Sequence, residues 1–245
     1  MNPFFFGPSA RRVFGVYDVP ADSTRDVGIV LCPPIGGEYL CAHPTYRLLA
    51  RLLAASGYHV LRLDYYGTGD AYGEFEETHQ AQWLADIELA ITEIRDLARV
   101  SRIGLVGMRY GATLAAQVAR RRDDVDCLVL WDAIVDGRTY LAEIGAGDDA
   151  GEAVVDVSGV GMCAQARRDI AGVTLATFAA PLPRTLVSTT APASDGPSPL
   201  VERLAGQRID VSVRQDVDVR AWLEGPLGRL ALPVPTVQAV VTWLS

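Results

Sequence analysis

The 245-residue chain is 49% hydrophobic and 21% charged, the balance of a folded globular protein, and its length suits one large α/β domain over residues 1–245. A formal net charge of -8 argues against nucleic-acid binding, which requires a basic face, and no apolar run approaches the ~20 residues of a spanning helix. No basic segment precedes Phe4, Phe5 and Phe6, so no secretory signal is expected and the reading places the chain in the cytoplasm.

Four cysteines, Cys32, Cys41, Cys127 and Cys163, lack the spacing of a metal site or a disulfide framework. Reduced thiols, and neither metal nor other cofactor, are therefore expected.

Apolar β-branched runs alternate with helical patterns, as βα units in a mostly parallel sheet require. Val27 to Cys32 predicts a buried strand, closed by the Pro33-Pro34-Ile35-Gly36-Gly37 loop. Pro44 marks a predicted first helical position, with Tyr46, Leu49 and Leu53 on one face and Gly57 as terminator. His59 to Asp64 predicts the next strand, and Tyr65 to Asp70 a turn. Leu84, Ile87, Ile91, Ile94 and Ala98 recur at three and four, the spacing of an amphipathic helix.

Strands follow at Arg102–Val106 and Cys127–Trp131, separated by a sharp turn over Gly107–Gly111 and a helix at Ala112–Arg120. From Glu143 to Val160 the pattern weakens into Gly, Asp and Ala, which predicts a small lid insertion over roughly 143–180, with a helix at Met162–Ile170. Later elements are a strand at Thr185–Thr189, a mobile Pro/Ser loop at Ala191–Pro199, a strand at Ile209–Val213 and a closing helix at Val234–Leu244.

Gly107-Met108-Arg109-Tyr110-Gly111 has the strand-turn-helix setting and the flanking glycines of a nucleophile elbow, which in serine hydrolases reads G-x-S-x-G. An arginine stands at its centre, and a guanidinium stays protonated, so it neither attacks a carbonyl nor relays a proton. The triad order of this fold also places a histidine last. All three histidines, His43, His59 and His79, precede Arg109. Two independent losses point to a chain without a Ser-His-Asp triad.

Pro33-Pro34-Ile35-Gly36-Gly37-Glu38, Leu63 to Asp70, Gly107 to Ala115 and Leu130 to Gly137 occur in an order that resembles the α/β-hydrolase-like proteins associated with the exosortase system. Related hydrolase-like proteins of bacterial biosynthetic clusters are similar too. The resemblance covers roughly residues 27 to 145 and implies an α/β-hydrolase fold. It also implies that an elbow arginine is an inherited feature of one branch, for which no particular reaction follows.

Ligands of open α/β sheets bind beyond the carboxyl ends of the strands, where Arg109, Glu38, Asp70 and Asp132 are expected to gather. Arg109 either closes an internal ion pair with these acids or orients a substrate anion or polarised carbonyl, and both readings stand together. Ile35, Gly36 and Tyr110 would supply backbone N–H groups to an oxyanion region. Cys41 and His43, read as lying in the loop after the first core strand, form a candidate thiol-imidazole dyad, and His79 a candidate acid or base or a helix cap.

Three functions compete. The first is a non-hydrolytic or unconventional enzyme of small-molecule biosynthesis, performing cyclisation, elimination or acyl transfer on a small-molecule or carrier-bound acyl substrate. The second is a pseudoenzyme that docks a carrier protein or a partner enzyme. The third is thioesterase-like hydrolysis through Cys41 or an activated water.

Overall fold

The computed structural model describes residues 1–21, 25–147, 153–190, 198–207, 209–215, 219–224, 230 and 232–245. In chain order the elements are β1 (Asn2–Phe6), β2 (Val13–Asp18), β3 (Val27–Cys32), α1 (Gly37–Ala55), β4 (His59–Asp64), α2 (Gln80–Ala98), β5 (Arg102–Met108), α3 (Tyr110–Ala119), β6 (Val125–Trp131) and α4 (Gly137–Glu143). They continue as β7 (Val154–Val157), β8 (Val160–Cys163), α5 (Ala164–Ala171), β9 (Arg184–Thr189), α6 (Pro199–Ala205), β10 (Val211–Gln215) and α7 (Val234–Leu244).

Eight strands form one sheet in the order β1-β2-β4-β3-β5-β6-β9-β10. From β4 to β10 the neighbours run parallel, whereas β1 and β2 form an antiparallel hairpin that zips onto β4. Successive residues of the central strands bury into opposite faces. Val30, Cys32, Leu105, Leu128 and Leu130 point into the layer that contains α2 and α3. Ile29, Leu31, Val106, Val129 and Trp131 point into the layer of α1 and α7. Both faces are covered, which is why these strands read as nearly unbroken apolar runs.

Several expectations need correction. Helix α1 begins at Gly37, and Pro44 lies inside it. The carbonyl that Pro44 leaves without a helical donor belongs to Leu40, which is exposed and open to water. Cys41 and His43 therefore ride on a helix and are not in a loop. The polar stretch before His79 contains a short 3-10 turn at Phe75–Glu77, and α2 starts at Gln80.

Within the expected insertion, Met162 belongs to the β7–β8 hairpin, and the helix begins only at Ala164, where Cys163 Sγ caps the Ala166 amide. The last sheet strand is Val211–Gln215, so Ile209 lies ahead of it and packs on the core. Residues 191–197 of the expected mobile loop lie outside the described residues, while Pro199 opens α6. No described helix is long and apolar enough to cross a membrane.

Candidate functional site

Strand β5 leads into α3 through Arg109, whose φ of 54° and ψ of -126° put a non-glycine residue in the left-handed half of conformational space. Two glycines make this turn possible. A Cβ on Gly107 would lie 2.4 Å from Ala112 Cα, and one on Gly111 would lie 2.1 Å from the Pro33 carbonyl oxygen. The Arg109 amide is tied to the Trp131 carbonyl at 2.9 Å. The strain is thus held by the sheet on one side and the helix on the other, as the elbow pattern requires.

From this turn the Arg109 side chain enters a carboxylate cage. Its Nε donates to Glu38 Oε1 at 2.8 Å and its second amino group to Glu143 Oε1 at 2.8 Å. Tyr140 OH donates to the other Glu38 oxygen at 3.0 Å. The guanidinium carbon lies 5.3 Å from the Tyr140 ring centroid and 4.8 Å from that of Trp222, within cation-π range. Arg109 and Glu38 are only 7% and 9% exposed, so neither charge can rely on water. Burial pushes the Glu38 carboxyl above its usual range, although Arg109, its strongest counterweight, pulls the other way. Carboxylate attraction holds Arg109 protonated more firmly than usual, outweighing its own burial.

Beside the cage lies a cavity of about 550 Å³, within the size range of small-ligand pockets. Glu38, Tyr140, Glu143, Trp222, Glu224 and Cys41 contribute to its wall, with Ile35 and Gly36 at the start of α1. The β7–β8 hairpin adds Val157, Ser158 and Met162. Neither Arg109 nor, among the described residues, any histidine lines it.

The remaining candidates fall in different places. Asp132 also has a positive φ, 44°. It accepts from the Thr190 amide at 3.0 Å and from the Thr190 hydroxyl, and it makes no ion pair with Arg109, whose charge still lowers its proton affinity against the rise from burial. Asp70 is exposed, and its amide donates to Asp64 at 3.1 Å, on the far side of α1 from the cage. It takes no part in holding Arg109. Tyr110 is buried, donates to Gln80 at 2.6 Å and stacks on Tyr140 with centroids 6.1 Å apart.

The expected dyad of Cys41 and His43 is not formed. Residues two apart on a helix point in nearly opposite directions, so Cys41 lines the cavity beside Glu38 while His43 lines a second cavity with Tyr39 and Arg62. Burial, with Glu224 and Glu38 nearby, raises the Cys41 thiol pKa, the reverse of what a nucleophile needs. His79 is the N-cap of α2, its amide accepted by Gln82 at 3.0 Å and its ring 3.7 Å from Asp169. Cys41→Ala and His79→Ala should each leave hydrolysis of aryl esters and acyl thioesters at background, as measured on the purified chain. Turnover that either substitution removes would restore the thioesterase reading.

Sequence reasoning missed Glu143, Tyr140, Trp222 and Glu224. A signal existed for the first two. Asp136 caps α4 by accepting the Thr139 amide at 2.8 Å, and a helix begun there puts Tyr140 and Glu143, three apart, on one face. Trp222 and Glu224 stand in a stretch without periodicity.

A family model described as serine aminopeptidase, S33, matches residues 42–154, slightly under half of the chain. Est1E from Butyrivibrio proteoclasticus, in a structure with ferulic acid bound, superposes with a TM-score of 0.69 at 14% identity, covering 98% of this chain and 97% of that one. The fold is that of the α/β-hydrolases. The α/β-hydrolase domain-containing protein 10 from mouse is similar too, with a TM-score of 0.61 at 16% identity over 100% of both chains. So is a thioesterase domain from the curacin biosynthetic pathway, with a TM-score of 0.61 at 15% identity over 100% of this chain and 99% of that one. Comparison with curated proteins gives no match. On this α/β-hydrolase fold the elbow is built, but its tip presents a cation enclosed by acids.

Proposed function

We propose that this chain is a non-hydrolytic enzyme of bacterial small-molecule biosynthesis, in which Glu38 exchanges a proton with a ligand held in the cavity beside Arg109. Cyclisation and elimination of an acyl or carbonyl compound are the reaction classes that such a group serves. The carrying observation is the position of Glu38. It is a buried carboxylate in a cavity wall, gripped by Arg109 on one oxygen and Tyr140 on the other, with its proton affinity raised toward the working range of a general base.

Arg109 and Tyr140 then act as positioning residues. They fix the carboxylate in the cavity wall, while Arg109 spends its own charge on Glu38 and Glu143 and not on the ligand. The elbow arginine in this reading organises a base where a serine hydrolase places its nucleophile.

The test is incubation with the intermediates made by enzymes encoded beside this chain. Glu38→Gln, nearly isosteric, should lower conversion by about a hundredfold or more while leaving ligand binding intact. Conversion that survives in Glu38→Gln would overturn the assignment of the base.

A second reading, a pseudoenzyme that docks a carrier protein or partner enzyme, is favoured by one observation: the Arg109 guanidinium is engaged by two acids and two aromatic rings. Absence of binding and conversion for every such intermediate, together with co-purification of one neighbouring enzyme, would favour it over the first.

A further inference from the structure

On the opposite side of α1 from Glu38 and Cys41 lies another cavity, of about 500 Å³. Its floor is apolar, made by Phe14 and Val16 of β2, Leu31 of β3 and Leu63 of β4. Its polar side carries two arginines, Arg47 from α1 and Arg62 from β4, with His43 one turn before Arg47 on the helix and Tyr39 one turn before that.

Arg62 is an under-supplied cation. It is 8% exposed, yet its ion pair with Asp18 is a single long contact at 3.4 Å, and its other contact is to the Met1 thioether at 3.3 Å. A guanidinium offers five N–H donors, and a thioether is a weak acceptor. A buried charge so poorly matched is costly unless a further partner arrives. The nearby Asp64 makes no ion pair with it and instead accepts from Tyr39 OH at 2.6 Å and the Asp70 amide at 3.1 Å. Arg47 is exposed at the cavity wall and makes no ion pair with any described residue.

We propose that this cavity is a binding site for a monocarboxylate with an apolar body, an aliphatic or aromatic acid whose head group sits between Arg62 and Arg47 and whose chain lies on Phe14, Val16 and Leu63. The planar Arg fork matches two carboxylate oxygens. His43, whose proton affinity is lowered by partial desolvation and by the charge of Arg62, adds a ring N–H donor at the cavity wall. Asp64 and Asp70 in the same wall repel a doubly charged head, which selects a carboxylate over a phosphate.

The experiment is isothermal titration of the full chain at low salt with sodium octanoate, and with octanamide as the uncharged analogue. Octanoate should bind saturably with one site, and octanamide at least about tenfold more weakly, the loss of one charge-assisted contact. Arg62→Gln should weaken octanoate by at least about tenfold, and Arg47→Gln, a change at an exposed side chain that leaves folding alone, by about threefold or more. Octanoate that fails to saturate, octanamide binding as well as octanoate, or octanoate affinity unchanged in Arg47→Gln would each overturn the proposal.

Discussion

Replacing Arg109 by leucine is expected to cost about 3–5 kcal/mol, because it strands a buried Glu38 beside Glu143 without the cation that both now share. For a chain of this size that corresponds to a fall in melting temperature of roughly 6–20 °C. The pH dependence carries a sign that distinguishes this cause from a packing defect. Glu38 already has a folded-state pKa above its ordinary value, through burial. Removing Arg109 removes its largest opposing influence and raises that pKa further. Between the unfolded and folded values the native state holds the extra proton, so stability falls as pH rises through that window. The deficit of Arg109→Leu should therefore be largest above the folded-state pKa of Glu38, shrink as pH falls through that window, and lose its Glu38 part below about pH 4.5, where Glu38 is protonated in both states. Adding Glu38→Gln to Arg109→Leu should recover part of the loss, a coupling that independent sites do not show. Thermal unfolding of the two variants across pH checks this, and a deficit constant with pH would mean that lost packing dominates. Arg109→Ser should in addition yield no esterase, since no histidine lines the cavity among the described residues.

Gly111→Ala is the second large effect. The added methyl would sit 2.1 Å from the Pro33 carbonyl oxygen and 2.3 Å from that of Cys32, both backbone atoms at the end of a central strand. Neither can move without displacing β3 from β5, so a loss above about 4 kcal/mol and the disappearance of soluble, cooperatively unfolding protein are expected. Gly172→Ala is the matched control. Its backbone is ordinary αR, φ -74°, and its nearest contact would be an unexceptional 3.4 Å, so stability should hold or rise by about 0.4–1 kcal/mol. Circular dichroism and thermal melts of the pair separate the elbow constraint from a general intolerance of alanine.

The parallel half of the fold was legible because burial on both faces forces continuous apolar strands, and each of these is bounded by glycine, proline or a charged turn. The elbow was legible for the same reason that Gly107 and Gly111 are needed: backbone crowding restricts those positions to glycine. The N-terminal hairpin was not recognised. Phe4 to Phe6 and Val13 to Tyr17 have β-forming residues, but β1 pairs with β2, and β2 joins the sheet through β4, more than forty residues away, and local pattern says little about that partner. Pro44 misled the start of α1, because a proline within a helix is tolerated where the orphaned carbonyl faces water. In the site, Glu38 was found through its strand-end position, while Asp70 was misplaced because a strand end does not say on which side of the next helix a loop residue will fall. Trp222 reached the cage through tertiary packing alone.

Helix α1 walls both cavities, with Glu38 and Cys41 on one side and Tyr39 and His43 on the other. Such a shared partition makes the two compartments thermodynamic neighbours. Any occupant that rotates or slides the partition in one compartment alters the free energy of filling the other, and by the closure of the binding cycle the influence runs back with equal strength. A molecule on the arginine side that shifts this helix would thereby change how readily the carboxylate side accepts its own guest.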